Sequence, residues 1–147
     1  ALRRLAAGLG GGSAHGPKRI TTETVCIGEG LTEACSATLA TLRAGSKVTD
    51  IYCDMNGEPY RADEFGFTAL RTKEHFESAS DFVAPADCFG DVSAAGGPLH
   101  LMLACVAEQK GYANGSLAFA WASAEMGERA AALVATPAHG ATAGGKG

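Results

Sequence analysis

The residues that could do chemistry in this 147-residue sequence gather in two short segments. One is Asp50-Ile-Tyr-Cys-Asp-Met-Asn-Gly57. The other is the loop Pro85-Ala-Asp-Cys-Phe-Gly-Asp-Val-Ser-Ala-Ala-Gly-Gly97. Asn56 brings an amide that both donates and accepts, Asp91 a carboxylate, Cys88 a thiol and Ser93 a hydroxyl. An amide N–H can polarise a carbonyl oxygen, whereas an ionised carboxylate repels an oxyanion and has no hydrogen to give. A plainer reading stands beside each: Asn-Gly is a turn signal, and Asp ahead of a helix is a good N-cap. Cys88 has no histidine near it in sequence to take its proton, so the sequence does not make it a nucleophile.

The other reactive residue types are dispersed. Histidines 15, 75, 100 and 139 have no ligand spacing to one another or to cysteine, so no metal site is expected. His100 reads as a satisfied core histidine and His75 as a solvated helix residue. Five cysteines, at 26, 35, 53, 88 and 105, form no CxxC pair and read as small buried apolar residues of a reducing compartment. Val25-Cys-Ile-Gly28-Glu-Gly30-Leu-Thr-Glu33, with Asp50 or Asp54 about twenty residues further on, outlines a dinucleotide fingerprint. Glu33 occupies its third glycine slot, and with Glu29 it brings negative charge to the helix start that should receive a pyrophosphate. No other cofactor is indicated. A net charge of −4 without a basic block argues against nucleic acid as the main partner. Arg3-Arg4 and Lys18-Arg19 read as solvated charge or as a contact for a carrier protein. With no secretory segment and no apolar run long enough for a membrane span, the expected location is cytoplasmic.

The elements that must position these residues follow from periodicity. Residues 1–19 read as the end of an upstream half followed by a flexible glycine-rich segment, Gly8 to Gly16. Residues 19–27 are extended and β-branched. A helix is expected over Leu31–Ala44, with Gly45 as its stop, then a strand over Lys47–Cys53. A more polar helix over Arg61–Glu77 leads to a short strand, Asp81–Ala84, entering the Asp91 loop. A helix over Pro98–Gly111 precedes a hairpin of Leu117–Ser123 and Ala130–Thr136. Residues 137–147 are low-complexity and read as a disordered tail. The order is α/β, with one mixed five-stranded sheet. At about 3.6 residues per turn, Leu99, Leu101, Met102, Leu103, Cys105 and Val106 cover nearly every face of their helix. Such a helix wants protein on both sides, and one sheet covers only one.

A loop ending in small residues, then a buried helix, then a strand hairpin, resembles the C-terminal half of the thiolase superfamily, the β-ketoacyl-ACP synthases in particular. Ala1-Leu-Arg-Arg-Leu-Ala-Ala-Gly is similar to the last strand of the first half. Ile20-Thr-Thr-Glu and Gly28-Glu-Gly30-Leu-Thr-Glu-Ala are similar to the entry to the first helix of the second half. Asp50 to Gly57 resembles the strand and loop that carry one catalytic histidine. Gly90-Asp91-Val-Ser-Ala-Ala-Gly96 resembles the Gly-His-x-x-Gly-Ala-Ala-Gly loop, and also the Asn-x-Ser-Ala-Ala-Ser loop of the initiating synthases. Leu117 to Val134 resembles the closing hairpin.

The resemblance implies a thiolase-like C-terminal domain over residues 20–136, its Pro98–Gly111 helix buried against a second half. It implies decarboxylative condensation of acyl-ACP or acyl-CoA thioesters in fatty-acid or polyketide biosynthesis, within a dimer and without a metal. The nucleophilic cysteine belongs to the N-terminal half, so acyltransferase activity requires that half. The two catalytic histidine slots hold Asn56 (Met55 if the register slips by one) and Asp91, with Gly90 and Ser93 as substrate-contacting positions of the same loop. A half without its histidines also fits a non-catalytic ketosynthase-like partner subunit. A dinucleotide-binding domain on Gly28 and Gly30 is the rival from another class.

Overall fold

The structure is a computed structural model and describes residues 7–15 and 27–136. Strand β1 (Ala7–His15) is followed by helix α1 (Glu29–Leu39), strand β2 (Asp50–Cys53) and helix α2 (Pro59–Thr72). A one-turn helix α3 (Ala86–Phe89) and a 3-10 turn over Ser93–Ala95 lead into helix α4 (Gly96–Lys110). Strands β3 (Leu117–Ser123) and β4 (Glu128–Ala135) close the described chain.

The strands form one four-stranded mixed sheet in the order β1-β4-β3-β2, with β2 parallel to β3 and the other pairs antiparallel. The expected strand at Asp81–Ala84 is only a bridge. Val83 donates its N–H to the Ile51 carbonyl and accepts from the Cys53 N–H beside β2, and regular pairing goes no further.

The expected flexible segment is corrected by the structure over residues 8–15, Gly16 lying outside the described residues. Instead of a flexible linker, Ala7–His15 is a nine-residue strand paired along β4. The glycines let α1 lie close on it. A Cβ on Gly12 would stand 2.5 Å from the Ala34 carbonyl oxygen, and one on Gly10 would stand 2.4 Å from Thr41 Oγ1. The 19–26 part of the expected extended segment and the 137–147 tail lie outside the described residues, as do Arg3, Arg4, Lys18 and Arg19.

The sheet's two faces are unequal. On one, Leu31, Cys35 and Leu39 of α1 pack with Ile51, Phe119, Trp121 and Leu133. Phe65 of α2 adds a ring stacked on Trp121, with centroids 5.2 Å apart. On the other face alternation leaves small side chains, and Ala104 of α4 meets Tyr52, Ala118 and Ala120.

Helix α4 turns its more polar stripe inward: Gly96, His100, Ala104 and Glu108 are the buried positions. An alanine-lined sheet lets the helix approach closely, and spacings of four keep that stripe on one face. Leu101 (36 %), Val106 (42 %) and Met102 (57 %) are left exposed. An apolar helix face in water is a coverable surface. Among the described residues no helix is long and apolar enough to cross a membrane.

Candidate functional site

An open cleft of about 530 Å³ lies where the Asp91 loop, the start of α4 and the turn between β3 and β4 meet. Gly90 and Asp91 line it, together with Asp54, Arg61, His100 and Arg129. The two segments singled out for chemistry do converge here. Asn56 Nδ2 donates to Asp91 Oδ2 at 3.2 Å, across 35 residues of sequence. Gly90 ends α3 with φ of 73° and ψ of −179°, a positive-φ conformation that essentially only glycine adopts. Ser93 belongs to the 3-10 turn that delivers the chain to α4.

The plainer readings of these residues fare differently. Asn56 does build a turn, because its Oδ1 accepts the Glu58 N–H at 3.1 Å. Asp91 does not cap α4: the N-cap is Ala95, with no side-chain bond, and the 3-10 turn intervenes. Asn56 Nδ2 also donates to Glu58 Oε2 at 3.0 Å. Both amide hydrogens are thus directed at carboxylates, and neither is left to polarise a thioester carbonyl.

Behind this pair stands an ion network that the sequence reading missed. Arg61 donates through Nε to Glu58 Oε2 at 3.1 Å and through Nη1 to Asp54 Oδ2 and the Ser123 carbonyl. Asp54 Oδ2 accepts the Ser123 N–H at 2.6 Å, which ties the β2 end to the β3 end. Burial pushes the Asp54 carboxyl up from its usual range, with the Arg61 guanidinium pulling it back down. Glu64 and Arg129 form a second pair, Oε1 to Nε at 2.6 Å, with side-chain exposures of 1 % and 0 %. Ser123 Oγ donates to Glu64 Oε2, and Arg129 Nη2 donates to the Tyr60 hydroxyl. Arg61, Glu64, Thr68 and Thr72 are the buried face of α2. A polar stripe at helical spacing was the available signal, but periodicity assigns such a stripe to solvent.

His100 is 2 % exposed. Its pKa is lowered by burial, against a hydrogen bond to the Trp121 backbone, and Nδ1 has no partner. It is therefore a core histidine, as expected, but only half satisfied. His75 sits in the 3-10 turn after α2 at 38 % side-chain exposure. Of the cysteines, Cys35 and Cys53 are buried, and burial pushes both thiols up to about 12. The expectation of burial fails at Cys88, which is exposed, and Cys105 is intermediate. Cys26 lies outside the described residues.

The Gly28-x-Gly30 turn is occupied by packing. A Cβ on Gly28 would stand 2.6 Å from the Glu64 carbonyl oxygen, and Arg71 donates to the Ile27 carbonyl beside it. Among the described residues no group of three or more His, Cys, Asp or Glu side chains is arranged to hold a metal ion.

The fold is that of ketosynthase domains. The oxazolomycin ketosynthase domain of Streptomyces albus JA3453 superposes with a TM-score of 0.74 at 13 % identity, over 93 % of this chain and 46 % of that one. The ketosynthase from module 6 of the bacillaene synthase of Bacillus subtilis 168 gives 0.60 at 10 % identity, over 92 % and 32 %. The chain therefore spans less than half the length of either ketosynthase. No protein-family model and no curated protein matches the sequence.

Proposed function

We propose that this chain is the C-terminal half of a ketosynthase-like protein of fatty-acid or polyketide biosynthesis. In this reading an N-terminal half, in the same or a second chain, completes it, and the assembly handles acyl thioesters carried on acyl-carrier protein or coenzyme A. The observation that carries the reading is the hydrogen bond from Asn56 to Asp91, which lines the cleft, within a fold shared with ketosynthases. Those are the positions where the resemblance puts the two catalytic histidines. The outward apolar face of α4 supports the need for a second half, since Leu101, Met102 and Val106 face solvent in the described chain. A cytoplasmic, dimeric assembly goes with this reading, and Gly90 and Ser93 are its substrate-contacting positions.

Within that reading, a non-catalytic subunit that shapes the pocket and the interface is favoured by a specific observation. Both Nδ2 hydrogens of Asn56 are engaged by Glu58 and Asp91, and Asp91 adds negative charge where a condensing enzyme stabilises an oxyanion. The test is assembly with an N-terminal ketosynthase half that carries the nucleophilic cysteine, followed by mass-spectrometric trapping of the acyl thioester. The reading expects an assembled protein that binds acyl-carrier protein and is loaded at the partner's cysteine, with condensation slow or absent. Failure of the two halves to assemble, or titratable nicotinamide or flavin binding by the chain, overturns it.

A further inference from the structure

The chain has two asparagines, Asn56 and Asn114, and glycine follows each. Such a pair is open to self-attack, because a glycine without Cβ lets its backbone nitrogen approach the asparagine Cγ. The glycine nitrogen gives its proton to solvent base and bonds to Cγ. The Cγ–Nδ2 bond breaks, and Nδ2 leaves as ammonia with a proton taken from water. Water then opens the cyclic imide at either carbonyl, leaving an aspartate or an isoaspartate.

The fold sets the two sites apart. At Asn114, the Asp50 carboxylate clamps the turn ahead of β3. Its Oδ1 accepts the backbone N–H and the Nδ2 of Asn114, both at 3.0 Å, and its Oδ2 accepts the Gly115 N–H at 3.2 Å. The nitrogen that would attack is therefore tied to a carboxylate. Gly115 also has no room to swing, since a Cβ on it would stand 2.6 Å from Thr49 Cγ2.

Gly57 is exposed, and a Cβ on it would meet nothing within 4 Å. Among the described residues no acceptor holds its N–H. The bonds at this site fall on the Asn56 side chain instead. Oδ1 accepts the Glu58 N–H at 3.1 Å, a donor placed where negative charge grows as Cγ is attacked. Nδ2 donates to Glu58 and Asp91.

We propose that Asn56 is a site of spontaneous deamidation, and that its conversion releases the Asp91 loop from the turn after β2. A carboxylate at position 56 has no N–H to give, so the bond to Asp91 is lost and two like charges face each other. The inference goes beyond the ketosynthase reading and does not need it, because it concerns the described chain alone.

The experiment is incubation of the full chain in mildly alkaline buffer made with heavy-oxygen water, followed by tryptic mass spectrometry. Each asparagine falls in its own peptide, 48–61 or 111–129, so the two conversions are read separately. In the folded chain Asn56 should convert faster than Asn114 by at least about tenfold, the factor set by the bond from Gly115 to Asp50. In concentrated urea, where neither the clamp nor the turn persists, the two rates should become nearly equal. Amide exchange at residues 90–95 should quicken in step with the fraction of Asn56 converted. Equal rates in the folded chain, faster conversion at Asn114, or an Asn56 that converts in urea but not in the folded chain overturns the proposal. Unchanged exchange at residues 90–95 in the converted chain overturns the release of the loop.

Discussion

Replacing Glu64 with Gln should be among the most damaging single changes in the molecule. Glu64 and Arg129 are almost completely excluded from water and meet at 2.6 Å, with Ser123 Oγ and the Tyr60 hydroxyl filling out the pair. Gln keeps the shape but leaves the Arg129 guanidinium buried without a counter-charge. Breaking one partner of such a pair costs about 3–5 kcal/mol. A domain of this size is stable by about 5–15 kcal/mol, so the loss is a large fraction of the total. At about 2–4 °C per kcal/mol, the midpoint should fall by roughly 10 °C. Removing both charges together, as Glu64→Leu with Arg129→Met, should cost less than the single change, because no unpaired ion remains. Urea unfolding followed by Trp121 fluorescence measures both variants, and Trp121 reports on α2 through its stacking with Phe65. A Glu64→Gln cost under about 1 kcal/mol would refute the reasoning, since that is the worth of a solvated pair. So would a double variant less stable than the single one.

Three further outcomes follow from other parts of the fold. Gly12→Ala should destabilise by about 1–3 kcal/mol through overpacking against the Ala34 carbonyl, while Gly11→Ala, whose Cβ has 3.6 Å of room, should be near neutral; paired urea midpoints compare them. His100 sits below its ordinary value of 6.5 because burial disfavours the imidazolium. The folded state therefore binds fewer protons than the unfolded one just below that pH, so this contribution is intact above pH 6.5 and is lost as pH falls. The slope of stability against pH over that range should flatten in His100→Leu. Asn56→Ala removes two exposed hydrogen bonds to carboxylates and the turn bond to Glu58, so it should cost only about 1 kcal/mol and loosen the Asp91 loop. Amide exchange at residues 90–95 reads that loosening.

The sequence patterns made some of this visible and hid the rest for physical reasons. α1 was legible because Leu31, Ala34, Cys35, Thr38 and Leu39 share one face, and all five are buried. The hairpin was legible because β3 and β4 have strand composition on either side of a turn. Strand β1 was not, because Gly8 to Gly12 carries the composition of a linker. The closeness of α1 and of the turn behind it explains the glycines at 10 and 12, whereas Gly8 and Gly11 have room for a Cβ. The orientation of α4 was hidden by the usual rule that apolar side chains face the sheet. Here His100 and Glu108 go inward, and Leu101, Met102 and Val106 point away.

Asn56 and Asp91 were singled out through a family resemblance, and their hydrogen bond across 35 residues depends on the fold, not on a local pattern. The ion network of Arg61, Glu64 and Arg129 left the signature of a solvated helix face and a strand end. Burial of those charges depends on partners brought together from α2 and β4, which no local pattern encodes.

The most direct test of the claim that this is half of a two-part fold is the solution state of the chain with and without its outward α4 face. Light scattering should find the unaltered chain associated, as a dimer or larger species. Met102→Glu with Val106→Glu should make it monomeric, with an unchanged circular dichroism spectrum, because both positions are exposed in the described fold. An unaltered chain that is a stable monomer at high concentration, with the α4 amides strongly protected, would contradict the claim. It would mean that one sheet with helices on its two faces suffices.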